Sequence, residues 1–141
     1  MHTPGHTLES SCYLLTDSNS NPACLFTGDT VFIGDVGRPD LAVKGDLTVE
    51  DLASLLFESI QKIKLLQDNI RVYPAHGSGS ACGKAIGAGN FCTLEAQKTN
   101  NYGFKFNDKG EFIKAVLNGL AKPPSYFLKD ATLNQIGTKP F

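Results

Sequence analysis

The sequence has no long apolar run, no strong charge imbalance and no close cysteine pair, and each absence excludes a class of protein. No stretch approaches the ~20 apolar residues that a membrane span needs, and no basic-then-apolar leader opens the chain. A net charge of −1 gives no electrostatic case for binding nucleic acid or an anionic membrane. We therefore expect a cytoplasmic protein with neither of these partners.

The four cysteines, Cys12, Cys24, Cys82 and Cys92, show no CxxC or zinc-finger spacing. A chain of 141 residues with 41% hydrophobic residues can bury a real core, so it does not need disulfides. We expect reduced thiols and, from length alone, one domain over residues 1–141.

The glycine-rich segment 77–90 matches neither common glycine-containing catalytic motif. It lacks the first glycine of a Walker A motif and the hydroxyl residue that should follow Lys84. It also contains no Gly-x-Ser-x-Gly elbow of a serine hydrolase. Two uses remain open: an anion-binding nest formed by Lys84 and the amides of 77–83, and a reactive thiol at Cys82. No residue near Cys82 in the sequence lowers its pKa.

Hydrophobic patterning predicts the order strand, strand, helix, strand, helix, helix. The predicted strands are 11–16, 23–27 and 70–73, and the predicted helices are 48–66, 93–101 and 108–120. Residues 30–46 are predicted to form a loop with little regular structure, because they are rich in glycine and aspartate. The order favours an α/β (α+β) fold in which helices cover one face of a sheet. The other face would need a partner, so we expect a homo-oligomer that buries it.

Three ligand candidates stand at the ends of the predicted strands. His6 precedes the first strand, Asp29 follows the second and His76 follows the third, each beside Gly or Pro. Strand ends hold side chains at one rim of a sheet, and two imidazoles with one carboxylate suit non-haem iron or zinc. A lone histidine after a strand is more often a surface or hydrogen-bonded residue, whereas three such positions make coincidence less likely. From spacing alone, a metal site and the surface-residue interpretation both stay open.

Arg38 and Asp40 are the candidates for substrate binding. They lie in the segment Gly-Arg-Pro-Asp at 37–40. Two interpretations stay open at this point: a structural Arg–Asp pair, or an anion clamp for a substrate carboxylate.

The motifs around these residues resemble those of a known family. Thr-Pro-Gly-His-Thr at 3–7, Phe-Thr-Gly-Asp-Thr at 26–30 and Tyr-Pro-Ala-His-Gly at 73–77 are similar to the later metal-binding motifs of the metallo-β-lactamase superfamily. Gly-Arg-Pro-Asp-Leu at 37–41 resembles the persulfide dioxygenase (ETHE1-like) branch more than the glyoxalase II branch. The loop at 77–84 and the segment 119–134 are similar to bacterial members in which rhodanese domains follow.

This resemblance implies an αββα sandwich, of which the chain is the second half. It implies that His6 and Asp29 are iron ligands, and that His76 belongs to the second metal position of dinuclear relatives. Arg38 would support the active site and the substrate. The implied reaction is oxidation of glutathione persulfide, or another low-molecular-weight persulfide, to sulfite and thiol. The implied cofactor is Fe(II), with Zn(II) as the alternative.

One family motif has no match. The signature His-x-His-x-Asp-His, which supplies the third iron ligand, occurs nowhere in the 141 residues. We expect it upstream of Met1, so that residues 1–141 are the C-terminal half of the domain and are inactive alone. Two alternatives stay open: a glyoxalase II-type thioesterase that uses zinc and an activated water, and a non-enzymatic half-domain that folds by pairing with itself.

Overall fold

A computed structural model describes residues 1–43 and 45–137 and shows a mixed α/β fold. Its main sheet has the strand order β1-β2-β5-β6, and a separate two-stranded sheet pairs β3 with β4. The strands are β1 Tyr13–Thr16, β2 Pro22–Gly28, β3 Val31–Phe32, β4 Asp35–Val36, β5 Arg71–Pro74 and β6 Cys92–Thr93. The helices are α1 Val49–Lys64, α2 Leu94–Asn100, α3 Lys109–Leu117 and α4 Phe127–Ile136, and a 3₁₀ turn spans Tyr102–Phe104.

The first helix begins where cap chemistry predicts. The Oγ1 of Thr48 accepts a hydrogen bond from the amide of Asp51 at 3.1 Å, and the Asp51 carboxylate accepts from the amide of Thr48 at 2.9 Å. This reciprocal capping box satisfies two backbone donors that a helix start leaves unpaired. The apolar face of α1 is buried through Leu52, Leu56 and Ile60, so the predicted helix and its packing are confirmed.

The prediction for residues 30–46 is wrong in its first third. Val31–Phe32 and Asp35–Val36 form the β3–β4 hairpin, which turns at Gly34 with φ +73°. Val31, Phe32 and Val36 are buried to within 1% of full burial, so packing against the core overrides the local loop signal. Strand β6 and helix α4 are also absent from the predicted order.

The main sheet buries one face only. Leu25 and Val72 on that face are fully buried against the helices. On the other face Phe26 stacks on Tyr73 at 5.4 Å, and Tyr73 stacks on Phe91 at 5.5 Å. Beside them Tyr13 is 74% exposed. The expectation that a second copy of the chain buries this aromatic face stays a prediction.

No helix within the described ranges has the length and apolar character to span a bilayer. All four cysteines lie in those ranges and are free thiols. Cys12 is buried in the core, and the other three are half-buried.

Candidate metal centre

The sheet topology gathers the three ligand candidates at one edge. Strands β2 and β5 are parallel, so Asp29 after β2 and His76 after β5 lie at the same rim. Strand β1 runs antiparallel to β2, so His6 before β1 lies there too. The amide of Ala75 donates to the carbonyl of Gly28 at 3.0 Å and joins the two strand ends. The structure therefore brings together residues that are 70 positions apart in the sequence, from His6 to His76.

The turn that carries His6 is pressed against helix α1. Gly5 has φ +145°, and a Cβ built there would lie 2.4 Å from the Cα of Leu56. Glycine is needed both for that backbone conformation and for that close approach. The hydroxyl of Ser59 donates to the carbonyl of Pro4 at 2.7 Å. The helix thus holds the turn, and the turn presents a histidine that is 8% exposed.

The orientation of the His6 ring follows from a backbone contact. Its Nδ1 lies 2.8 Å from the carbonyl oxygen of Arg38, so this nitrogen donates its proton there. The other ring nitrogen, Nε2, then faces the Asp29 carboxylate at 3.3 Å from Oδ2. A histidine held in this way has the arrangement typical of metal ligands, in which the outer nitrogen bonds a carbonyl.

Asp29 lies between the two histidines. Its Oδ1 is 3.3 Å from Nε2 of His76, yet this buried oxygen has no aligned hydrogen bond from any described residue. Burial raises the pKa of Asp29, but the hydrogen bond and charge of His6, with the charge of His76, outweigh it. The net pKa therefore lies below the ordinary 3.8. A buried carboxylate oxygen that lacks an aligned hydrogen bond is stabilised by a bound cation, so this donor set fits a metal ion.

A pocket of about 340 Å³ opens to solvent at this rim. It is lined by the three candidates together with small and hydroxyl-bearing residues: His6, Thr7, Ser10, Ser11, Gly28, Asp29, Thr30, Ala75 and His76. The His76 side chain is 43% exposed beside the pocket, whereas that of His6 is 10% exposed. A small ligand would therefore reach the three residues from one side.

Arg38 is 3% exposed, and its guanidinium donates hydrogen bonds to groups of the same chain. Its Nε and Nη2 donate to the two carboxylate oxygens of Asp40 at 2.8 and 2.7 Å. Nη1 donates to the carbonyl of Ala81 at 3.3 Å, and Nη2 donates to that of Ala121 at 2.6 Å. These contacts favour the structural Arg–Asp pair over the anion clamp. Contact of Arg38 and Asp40 with a substrate stays a prediction.

We expect Asp40→Asn to lower the free energy of unfolding by about 2 kcal/mol at neutral pH. Loss of one partner of a fully buried ion pair costs roughly 3–5 kcal/mol, and the 19% exposure of the Asp40 side chain reduces that cost. Burial raises the pKa of Asp40, but the hydrogen bonds and charge of Arg38 hold it below 3.8. The stabilisation is therefore complete above 3.8 and is lost as the pH falls through the folded-state pKa.

Urea unfolding of both proteins over a pH series measures this effect. The difference between them should shrink once the pH falls below 3.8. Exposed Asp46 offers a matched control, and Asp46→Asn should leave the free energy of unfolding at neutral pH unchanged. A difference for Asp40→Asn that does not depend on pH would contradict this account of the pair.

The structure adds a residue that the predicted ligand set omits. The ligand atoms of His6, Asp29 and Cys82 all lie within 4.8 Å of one another. Burial raises the pKa of the Cys82 thiol, and the nearby Asp29 charge adds to this. Sequence spacing offers one weak signal for Cys82, its place in the glycine-rich loop that follows His76.

An internal carboxylate is bound beside the predicted anion nest in that loop. The amides of Lys84 and Ala85 donate to Oδ2 of Asp35 at 2.6 and 2.7 Å, and Asp35 is fully buried. The hairpin β3–β4 therefore anchors the glycine-rich loop with a carboxylate of its own. These amides lie just beyond the 77–83 range that the sequence predicts for the nest.

Comparison with known proteins places this fold. A metallo-β-lactamase structure from Staphylococcus aureus subsp. aureus COL superimposes with a TM-score of 0.87 and 40% identity, over 100% of this chain and 40% of that one. The crystal structure of ETHE1 from Myxococcus xanthus gives a TM-score of 0.73 and 26% identity, over 96% of this chain and 51% of that one.

Two curated relatives agree with the structural matches. The chain is 37% identical over 114 residues to the probable polyketide biosynthesis zinc-dependent hydrolase BaeB of Bacillus velezensis, which covers 79% of this chain and 40% of that protein. It is 35% identical over 98 residues to the hydroxyacylglutathione hydrolase of Shewanella halifaxensis, which covers 67% of this chain and 32% of that protein. No family model matches the chain.

The chain has the α/β fold of its metallo-β-lactamase and ETHE1 structural neighbours, and its rim holds a candidate metal centre. The structural neighbours and the curated relatives support a place for this chain in the metallo-β-lactamase superfamily. The chain spans 40% of the length of the first of these curated relatives.

Proposed function

We propose that this chain is the C-terminal half of a metal-dependent persulfide dioxygenase. The observation that carries the proposal is the Asp29 carboxylate, which lies 3.3 Å from Nε2 of both His6 and His76 and has one buried oxygen without an aligned hydrogen bond. The structural similarity of the chain to ETHE1 and the Gly-Arg-Pro-Asp-Leu segment at 37–41 favour an oxidation reaction over a hydrolysis reaction.

The proposed reaction converts a persulfide, dioxygen and water to a thiol and sulfite: RSSH + O₂ + H₂O gives RSH + SO₃²⁻ + 2H⁺. The terminal sulfur is oxidised and dioxygen is reduced. Fe(II), when bound, would supply a site at which the persulfide sulfur and dioxygen meet.

The residues of this chain hold and orient that site. The Arg38 carbonyl keeps the proton of His6 on Nδ1, so that Nε2 is free to bind. Asp29 lowers the net charge of a bound cation, and the ring of His76 packs 6.0 Å from that of Phe32 at the pocket edge. The small and hydroxyl-bearing pocket residues leave room for a low-molecular-weight thiol.

If the chain is half of a domain, the upstream DNA should encode the missing metal-binding motif. We expect an in-frame His-x-His-x-Asp-His motif immediately upstream of the codon for Met1. The protein expressed with that segment and loaded anaerobically with Fe(II) should consume oxygen with glutathione persulfide and form sulfite. A matched sample of the 141-residue chain should form none, because it holds only part of the ligand set. The absence of sulfite from the longer iron protein would overturn the proposed reaction.

A zinc-dependent thioesterase is the second candidate. It is favoured by the names of two relatives, a probable zinc-dependent hydrolase and a hydroxyacylglutathione hydrolase. In that case Zn(II) would activate a water molecule, and Asp29 with the two histidines would hold the ion. Hydrolysis of S-lactoylglutathione by the zinc-loaded longer protein, without oxygen uptake by its iron form, would select this function.

A further inference from the structure

Cys82 lies beside the candidate metal ligands although it is remote from them in sequence. Its Sγ, a nitrogen of His6 and a carboxylate oxygen of Asp29 are mutually within 4.8 Å. His76 falls outside this group of three, even though it contacts Asp29. The thiol is therefore closer to the His6–Asp29 pair than its position in a glycine-rich loop suggests.

The protein holds the thiol in this place from two directions. The amide of Arg38 donates to the carbonyl of Cys82 at 3.1 Å, and its guanidinium donates to that of Ala81 at 3.3 Å. On the other side, the amide of Cys82 donates to the hydroxyl of Ser80 at 3.2 Å. Because the Arg38 carbonyl also orients His6, one residue positions both donors. Such shared support is what a preorganised site requires.

The three ligand atoms are near enough for one cation to draw them together. Zinc binds imidazole nitrogen at about 2.0 Å and thiolate sulfur at about 2.3 Å, so in tetrahedral geometry these two atoms lie roughly 3.5 Å apart. The ligand atoms here lie within 4.8 Å of one another, so side-chain movements of at most about 1.3 Å would bring them to that spacing. Oδ1 of Asp29 has no aligned hydrogen bond from the described residues, which gives a separate reason for a cation at this rim. Imidazole, carboxylate and thiolate together suit a borderline-soft ion.

We propose that His6, Asp29 and Cys82 together bind a divalent cation such as Zn²⁺ or Co²⁺. The inference rests on the metal site of the proposed function and adds a sulfur ligand to it. It does not depend on the oxidation reaction or on residues upstream of Met1. A thiolate ligand would shift the preference of the isolated chain from iron toward zinc and cobalt.

Cobalt titration of the purified 141-residue chain tests the proposal, because thiolate coordination gives a sulfur-to-cobalt charge-transfer band in the near ultraviolet. We expect the band to saturate at one ion per chain. Cys82→Ser should abolish it and weaken cobalt binding by at least about tenfold. The matched control is Cys24→Ser, since Cys24 lies within β2, paired with Leu15, and is also half-buried. That variant should keep the band.

Three results would overturn the proposal: a band that survives Cys82→Ser, cobalt binding by the unsubstituted chain without a band, or no cobalt binding at all. A second measurement needs no variant. Bound cobalt or zinc should protect Cys82 from alkylation by iodoacetamide, as located by peptide mass spectrometry, and equal labelling with and without metal would contradict the site. Failure of persulfide oxidation in the longer protein leaves these spectra unchanged, so the two proposals fail separately.

Discussion

Replacement of Asp29 with alanine is expected to lower the affinity of the chain for Zn²⁺ by more than about 100-fold. Removal of a partner that only orients a metal ligand costs roughly 10–100-fold, and Asp29 is placed as a ligand itself. Its carboxylate lies 3.3 Å from each of the two histidine Nε2 atoms and supplies the negative charge of the site. The variant would leave His6 and His76 without the group that lies between them.

Competition with a chromophoric chelator measures this affinity, and circular dichroism verifies that the variant is folded. His2→Ala is the matched control, because His2 lies on the same N-terminal segment but is exposed, and its Nε2 lies 2.7 Å from the carbonyl of Leu8. It should bind zinc as the unsubstituted chain does. If Asp29→Ala retained that affinity, the proposed metal centre would be rejected together with its ligand assignments.

The second large effect is expected at a glycine. Gly37→Ala should destabilise the chain by about 3 kcal/mol or more, at the upper end of the cost of overpacking. A Cβ at this position would lie 1.9 Å from the carbonyl oxygen of Asp29 and 3.1 Å from the Cβ of His6. The obstacle at 1.9 Å is backbone, so it cannot turn aside as the end of a long side chain would. The strand end that carries Asp29 must move away.

The displacement should reach the metal centre, so zinc affinity should fall together with stability. Urea unfolding and chelator competition report the two effects on the same sample. Gly77→Ala is the control, because a Cβ at Gly77 meets no atom within 4 Å in the described structure. Equal stability of the two alanine variants would show that the backbone at Gly37 relaxes freely, contrary to this prediction.

Three residues of the site could be predicted from the sequence because they lie at the ends of predicted strands. His6, Asp29 and His76 each adjoin a predicted strand, and the sheet order places all three ends at one edge. The structure shows that these three residues lie close together, and their binding of a metal stays a prediction. The structural role of Arg38 was harder to predict from the sequence, because its hydrogen-bond partners Ala81 and Ala121 are 43 and 83 residues away.

The sequence by itself determined the elements whose signals are local. Helix α1 follows from its apolar spacing and its Thr48–Asp51 cap, and the β1–β2 hairpin follows from its turn-forming loop. Both depend on neighbours within a few residues, where propensity and hydrogen bonding act without the rest of the chain.

Only the tertiary structure decided the β3–β4 hairpin and the place of Cys82. The hairpin forms because Val31, Phe32 and Val36 are buried in the hydrophobic core. The local sequence pattern does not specify this burial. Cys82 meets Asp29 because the parallel pairing of β2 with β5 and the buried carboxylate of Asp35 fold the glycine-rich loop back over the rim. Contacts across 53 residues between Asp29 and Cys82 depend on that packing, so sequence spacing cannot predict them.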